Sequence, residues 1–374
     1  MSRPVDLLCL VPPLQGTGAI NDQLLNKSAQ QYRRSIRRVG GFWVADFWIY
    51  PGKNVPDSYL VDWYENRLGH GFREKKGGAI TFDGVVWEME LSVDGQKESK
   101  ALDKVFNATR TDYLDTAQEP QSTSWQVNQG SIDKYGRREQ ILYMDELDAT
   151  AAAALAKSEL VKKGEVIPET VAIGSQVEQD GLHVTVVGKI FTANNRFITV
   201  ADDTTGNVSA YVSDIISTDC DFLKIGRIQT NTLQVKRTLN EPKRAWDALL
   251  ELVALGDGTN PWVLYTDSDG YTHYEAASNL PRYEWRGRQG GLVSRVGAQS
   301  FWEFWPGVIR NITRNQSTPA PGSFLLDGRD SWIMEVEMGD SFDEPALKPD
   351  GFDPEEIARA VAINQKALEE VASE

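Results

Sequence analysis

The chain has 374 residues and a formal net charge of −15, with 54 Asp and Glu against 39 Lys and Arg. That imbalance argues against a protein that grips nucleic acid through clustered basic contacts to phosphate, though not against one past which a nucleic acid slides. A 41% hydrophobic and 25% charged composition is that of an ordinary globular protein, long enough for two or three domains with cores of their own.

Eleven Trp, 12 Tyr and 13 Phe against 5 Met point to broad aromatic contact surfaces rather than a pliable Met-rich groove. Cys9 and Cys220 read as buried thiols, with a disulfide between them the lesser reading. The N-terminus, broken by Asp6 and Pro12-Pro13, lacks the apolar core and cleavage site of a signal peptide, and no stretch approaches the roughly 20 apolar residues that cross a bilayer. Synthesis and folding in a cytoplasm are the expectation.

Residues 1–39 form an N-terminal arm. Its basic run, Gln31-Tyr-Arg33-Arg34-Ser-Ile-Arg37-Arg38, reads as a solvated or partner-facing segment rather than a phosphate site. Residues 40–168 read as a first β domain with a packing helix. Gly41 to Tyr50 is a β-rich run closed by Pro51-Gly52, and Ser58 to Leu68 a short helix ended by Gly69. Ala79 to Val93 predicts a hairpin turning at Asp83-Gly84, a dipeptide suited to the positive φ angles of a type I′ turn, with a second turn at Asp94-Gly95. Leu102 to Arg110 leads into a polar loop, then Ser131-Ile-Asp-Lys-Tyr135-Gly136 turns into a strand reaching Met144. An Ala-rich helix follows from Thr150 to Lys163, capped by Asp148 or Thr150 and ended by Gly164. Its apolar positions are Leu155, Leu160 and Val161, and packing within its own domain is the expectation.

Residues 169–238 read as a compact all-β unit. Gly181 to Phe191 predicts a strand and Arg196 to Val212 a hairpin, an order similar to the middle strands of an OB-fold barrel. A strand-binding OB face needs exposed aromatics beside basic residues. Here the loop carries Asp202 and Asp203, so the unit is read as a spacer or ring element. Residues 239–340 read as a second α+β domain. Asn240 caps a helix that Glu241-Pro242 opens and Gly256 closes, with Trp246, Leu249, Leu250 and Val253 on one face. Trp262 to Tyr274 is a strand, a turn and a strand. Asp267, Asp269 and Gly270 echo a calcium loop, but the remaining ligands are missing and Ser278 stands at the twelfth position, so a plain hairpin is the better reading. Arg282 to Arg288 is read as a strand edge with paired charges, and Phe301-Trp302-Glu-Phe304-Trp305 as core or interface ahead of a sugar platform. Ser323 to Val336 predicts a final hairpin. Residues 341–374 are an acidic linker and a helix from Asp353 to Val371, with Pro354 at its first position and acids in its first turn. Its narrow apolar stripe needs the chain's own body or a neighbouring subunit to dock on.

No pattern carries chemistry. His70, His183 and His273 lie in separate elements without zinc-site spacing, and the Gly-x-Ser-x-Gly elbow, the phosphate-cradling loop and the dinucleotide fingerprint are all missing. No catalytic, metal-binding or cofactor-binding residue is assigned, and the expectation is a protein that is not an enzyme.

Three groups of residues, in this order, resemble the tail-hub or baseplate-hub proteins of tailed bacteriophages, the family that includes late-control-type proteins. They are Leu102 to Thr109 with Ser131-x-x-x-Tyr135-Gly136-x-Arg138-Glu139 and the Ala-rich helix; Arg244-Ala-Trp246-Asp-Ala-Leu249-Leu250 with Gly256-Asp257 and the strands from Trp262 to Tyr274; and Trp305-Pro306-Gly307-Val-Ile-Arg310 with Leu326-Asp327. The resemblance implies a mainly β (α+β) fold of tail-tube-like or hub-like antiparallel β-barrels with packed helices, joined here by the OB-like unit and the C-terminal helix. It implies a non-enzymatic ring component in the virion that joins the tail tube to the distal tip and surrounds the DNA channel. The implied partners are further copies of itself, as a homotrimer or ring, and other tail proteins (tube, distal tail, fibre or tip), with DNA only as passing cargo and no membrane anchor. The rival readings are a glycan-binding adhesin using the aromatics at 301–305 and a nucleic-acid-binding module built on the OB-like segment.

Overall fold

The fold was established with a computed structural model that describes residues 6–15, 18–20, 22, 24–76, 78–173, 180–198, 204–220, 222–237, 242–267, 270–280, 282–286, 291–293, 308–311, 330–340 and 346–349. In chain order the elements are β1 (Asp6–Cys9), α1 (Leu25–Ser28), β2 (Ala29–Arg37), β3 (Gly40–Ile49), α2 (Asp57–Asn66), β4 (Gly71–Lys76), β5 (Ala79–Val93), β6 (Gln96–Ala101), β7 (Ala108–Leu114), β8 (Pro120–Ser122), β9 (Gln126–Val127), α3 (Gln129–Tyr135), β10 (Glu139–Met144), α4 (Ala149–Lys163), β11 (Glu169–Ile173) and β12 (Gly181–Gly188). The second half adds β13 (Thr204–Asn207), α5 (Val208–Asp219), β14 (Lys224–Ile228), β15 (Gln234–Arg237), α6 (Ala245–Leu255), β16 (Trp262–Thr266), β17 (Tyr271–Ala276), β18 (Arg282–Arg286), β19 (Gly291–Val293), β20 (Val308–Asn311), β21 (Asp330–Gly339) and β22 (Ala346–Pro349). Most strands join one sheet whose main path runs β1-β4-β5-β12-β3-β2-β21-β20-β18-β19.

The class is β-rich α+β, and no barrel closes among the described residues. The sheet nevertheless curls. Three strands separate β2 from β4 along it, yet the Tyr32 hydroxyl donates to Glu74 Oε2 (2.5 Å) and Arg34 Nε lies 2.7 Å from the same oxygen. Thr81 donates to Glu74 Oε1 at 2.7 Å. Where a barrel would close by backbone pairing, side chains on the inner face meet instead. Inside the curl α2 lies over β5 and β12, with Trp63 edge-on to Phe47 (6.0 Å between centroids) and Phe47 stacked on Phe72 at 5.3 Å.

The basic run is therefore not an arm. Residues 29–37 are the interior strand β2, paired with β3 and β21. Alternation turns Tyr32, Arg34 and Ile36 inward, each at most 2% exposed, and sends Arg33 and Arg37 out to Asp46 and Glu335.

Asp83-Gly84 is not a turn either. β5 runs unbroken for 15 residues, and the hairpin forms one Asp-Gly later, with Asp94 at φ 51° and Gly95 at φ 75°. Asp83 is buried and held by Arg73 (3.3 Å) and Lys189 (2.5 Å). Gly84 is the residue that lets β12 approach, since a Cβ there would stand 2.4 Å from the Val187 carbonyl oxygen.

Among the described residues the OB-like unit does not form as a closed barrel. Its first strand, β12, lies between β3 and β5 in the main sheet. Part of its expected hairpin is helix α5, because Val208, Tyr211, Val212, Ile215 and Ile216 recur at helical rather than alternating spacing and are all buried. With α6, β16 and β17 this helix encloses a second core, in which Trp262 stacks on Tyr274 at 4.8 Å. Trp43 of β3 reaches into it, 5.9 Å from Trp246, and Tyr265 and Thr266 of β16 pair in parallel with Gly40 and Gly41.

α6 starts at Ala245, with Arg244 at its N-cap, and ends at Gly256 (φ 55°); the expected Asn240 cap lies outside the described residues. β18 pairs with β19 on one side and β20 on the other, so it is not a strand edge. α4 has its Asp148 cap, donated to by the Thr150 and Ala151 amides, but it packs through Ala152 and Ala156 while Val161 is 79% exposed. Small side chains let the helix backbone reach β7, where Thr111 donates to the Ala152 carbonyl at 3.0 Å. Of the final hairpin only the strand from Asp330 is described. The aromatics at 301–305 and the helix from Asp353 to Val371 lie outside the described residues.

The loop–strand–helix region that opens the resemblance is organised by one buried amide. Asn107 Nδ2 donates to Ser131 Oγ (3.2 Å) and the Gly136 carbonyl (2.7 Å), and its Oδ1 accepts from the Arg138 amide at 2.7 Å. Gly136, at φ 77°, ends α3 so that the chain can turn into β10, which runs parallel to β7. Asn107→Ala leaves these three groups short of a partner inside the protein and should cost about 3 kcal/mol. Urea unfolding checks this, and a loss below about 1 kcal/mol would show the arch is held elsewhere.

Candidate interaction face

The outer side of the curled sheet is assembled row by row from strand register. One row runs Gln30–Trp48–His183–Glu90–Ser99 across β2, β3, β12, β5 and β6, and the next runs Arg33–Asp46–Thr185–Glu88–Ala101. Because alternation on β3 sends Ala45, Phe47 and Ile49 inward, Val44, Asp46 and Trp48 point outward. Trp48 stacks on His183 (4.7 Å, 21°), and Tyr50 lies parallel to Trp48 at 5.7 Å and 3°. The aromatic strip is rimmed with charge: Arg33 holds Asp46 at 2.7 Å and Lys97 holds Glu90 at 2.8 Å. A shallow hollow of about 280 Å³ beside it is lined by Arg33, Arg34, Ser35, Val44, Asp46 and Glu337.

Burial, then the charges of Glu90 and Asp103, raise the Glu88 pKa above its ordinary value. A carboxyl whose pKa is raised on folding stabilises the fold below its unfolded pKa and loses that contribution as pH rises through the folded one. Glu88→Gln should therefore stabilise the protein at pH 7 and make no difference well below pH 4. Unfolding midpoints at the two pH values check this, and a gap that widens in acid would contradict it.

The residues that sequence reading singled out for chemistry do not converge. His70 Nδ1 lies 2.9 Å from the Leu10 carbonyl, His183 is in the aromatic strip, and His273 Nε2 is 2.7 Å from Asp267. Burial lowers the His70 pKa. Both cysteines are buried and neither is in a disulfide, and burial pushes Cys9 up to about 12, so it is no nucleophile at neutral pH. Asp267 is used within its hairpin, accepting from the Tyr271 amide as well as facing His273. No group of three or more His, Cys, Asp or Glu is placed to hold a metal ion among the described residues. No helix among them is long and apolar enough to cross a membrane.

A second surface lies at the edge strand β11, which pairs only with β6 among the described residues. Ile167, Val171 and Ile173 are 67%, 51% and 71% exposed. Exposed apolar residues on a sheet edge offer a place for another chain to pair.

No protein-family model matches the chain, and no curated protein matches it. Among solved structures the fold is similar to the 43 kDa tail protein of prophage MuSo2 from Shewanella oneidensis, at 8% identity over 93% of this chain and 96% of that one, with a TM-score of 0.42. It is similar to a tail protein from Neisseria meningitidis MC58, at 8% identity over 93% and 96%, TM-score 0.41. It is similar also to prophage tail protein gp18 from Listeria monocytogenes EGD-e, at 7% identity over 97% and 99%, TM-score 0.41.

Proposed function

We propose that the protein is a structural component of a phage tail, acting in the tail tip as a hub or baseplate ring protein that joins the tube to the distal tip and surrounds the DNA channel. One observation carries the reading: residue groups that resemble hub proteins from distant parts of the chain meet in space. Glu139, from the first group, accepts through its main-chain carbonyl from Arg244 Nη1 of the second at 3.0 Å, across 105 positions of sequence. That contact supports reading the two groups as parts of one packed unit. The charge of −15 suits a wall that DNA passes without adhering.

Light scattering with negative-stain images of the same peak tests the reading. Closed rings or trimers with a central hole are expected, and assembly should fail in Ile173→Lys, which puts a charge on the exposed β11 edge without touching the core. A monomer at every concentration, with and without a tail-tube protein, would contradict it.

A further inference from the structure

Among the described residues β14 pairs only with β17, in parallel, and the register slips between them. From Ile225 to Ile228 it takes three residue steps while β17 takes two, from Thr272 to Tyr274. One residue is therefore surplus to the ladder, and its amide needs an acceptor from elsewhere. The Arg227 amide finds it in an imidazole, donating to His273 Nδ1 at 3.1 Å. Gly226 makes room for that ring, since a Cβ there would stand 2.8 Å from His273 Cε1.

A backbone amide only donates, so Nδ1 carries no proton and the ring is the neutral tautomer with its hydrogen on Nε2. That hydrogen goes to Asp267 Oδ2 at 2.7 Å. Asp267 is itself fixed in the hairpin, accepting from the Tyr271 amide through Oδ1 at 2.9 Å, and the Tyr265 ring stacks on the imidazole at 5.2 Å and 23°. The neighbouring charges engage one another. Glu275 of β17 accepts from the Tyr265 hydroxyl at 2.7 Å and faces Arg227 Nη1 of β14 at 3.4 Å. Lys224 of β14 lies 6.0 Å from the Tyr271 ring centre. Lys189 and its partner Asp83 reach the turn of the hairpin, each 3.8 Å from where a Cβ of Gly270 would stand.

We propose that His273 is an acid-sensitive clasp on the β14 edge: a proton gained at Nδ1 sets two donors face to face, and β14 lets go of β17 between Gly226 and Ile228. The ring does not escape by turning, because its positive charge tightens its bond to Asp267. The strand gives way instead, anchored beyond the bulge by the Gln229 amide, which donates to the Tyr274 carbonyl at 2.8 Å. The clasp does not depend on the tail reading.

NMR of the full chain with isotope-labelled histidine tests it, since the chain has three histidines and His70→Gln and His183→Gln assign the signals. Hydrogen exchange of segment 224–228, corrected for the pH dependence of exchange itself, is followed on the same samples from about pH 8 to about pH 5. The neutral His273 ring should carry its proton on Nε2. Protection of the segment should fall about fivefold in step with protonation of that ring, while β12 in the core keeps its protection. His273→Asn, which keeps an acceptor near the position of Nδ1 and gains no proton, should hold the protection constant. The wild-type measurements decide even if that variant fails to fold. A neutral ring with its proton on Nδ1, protection that does not change as the ring is protonated, or an equal fall in His273→Asn overturns the proposal.

Discussion

Glu74→Ala should destabilise the protein by about 3–5 kcal/mol. Arg34 and Glu74 are both fully buried, 2.7 Å apart, and Glu74 also accepts from Tyr32 and Thr81. Removing the carboxylate leaves Arg34 in the interior without the charge that faces it and takes an acceptor from two hydroxyls. It also opens the seam where β2 faces β4 across the curl. Replacing both partners by apolar residues of similar size, Arg34→Met with Glu74→Leu, should cost much less than Glu74→Ala, because a buried ion pair contributes little beyond neutralising its own desolvation. Urea unfolding of the three proteins separates the outcomes. If the double variant is as unstable as Glu74→Ala, charge is not what the seam requires.

The second large effect is expected at Trp63, the fully buried anchor of α2. Its ring packs on Phe47, and its Nε1 donates to Asp22 Oδ2 at 2.8 Å and contacts the Tyr59 hydroxyl at 3.0 Å. Trp63→Ala loses that packing and leaves a cavity under the helix, for about 3–5 kcal/mol. Trp63→Phe keeps most of the ring and removes one donor from a carboxylate that Tyr59 still serves, so about 1–2 kcal/mol is expected. Equal losses in the two variants would assign the effect to the hydrogen bond rather than to the packing.

These two sites differ in how far the sequence announces them. The β3 run, α2, the Asp148 cap of α4, the apolar face of α6 and the hairpin from Trp262 all follow from local pattern, and all form. What local pattern misjudges is context. Asp83-Gly84 and Asp94-Gly95 are the same dipeptide, yet only the second turns; at the first, the close approach of β12 and the cations Arg73 and Lys189 fix an extended strand. The run from Gln31 to Arg38 reads as solvated because it is basic, while alternation hides every second side chain and Glu74 neutralises Arg34 from another strand. α5 is legible in the helical spacing of Val208, Tyr211, Val212, Ile215 and Ile216, although four of the five are β-branched and favour strands locally. The outward strip of Trp48 and Tyr50 was legible from alternation on β3, but its partner His183 comes from β12, and only the sheet register brings them together. Likewise nothing local pairs Glu139 with Arg244.

Immunogold labelling of phage particles from cells that produce this protein tests the proposed tail-tip role most directly. Gold confined to the end of the tail distal to the head is the expected result, with tails failing to mature when the gene is deleted. Particles that carry no label, and that assemble and infect normally without the protein, would contradict a structural role in the tail.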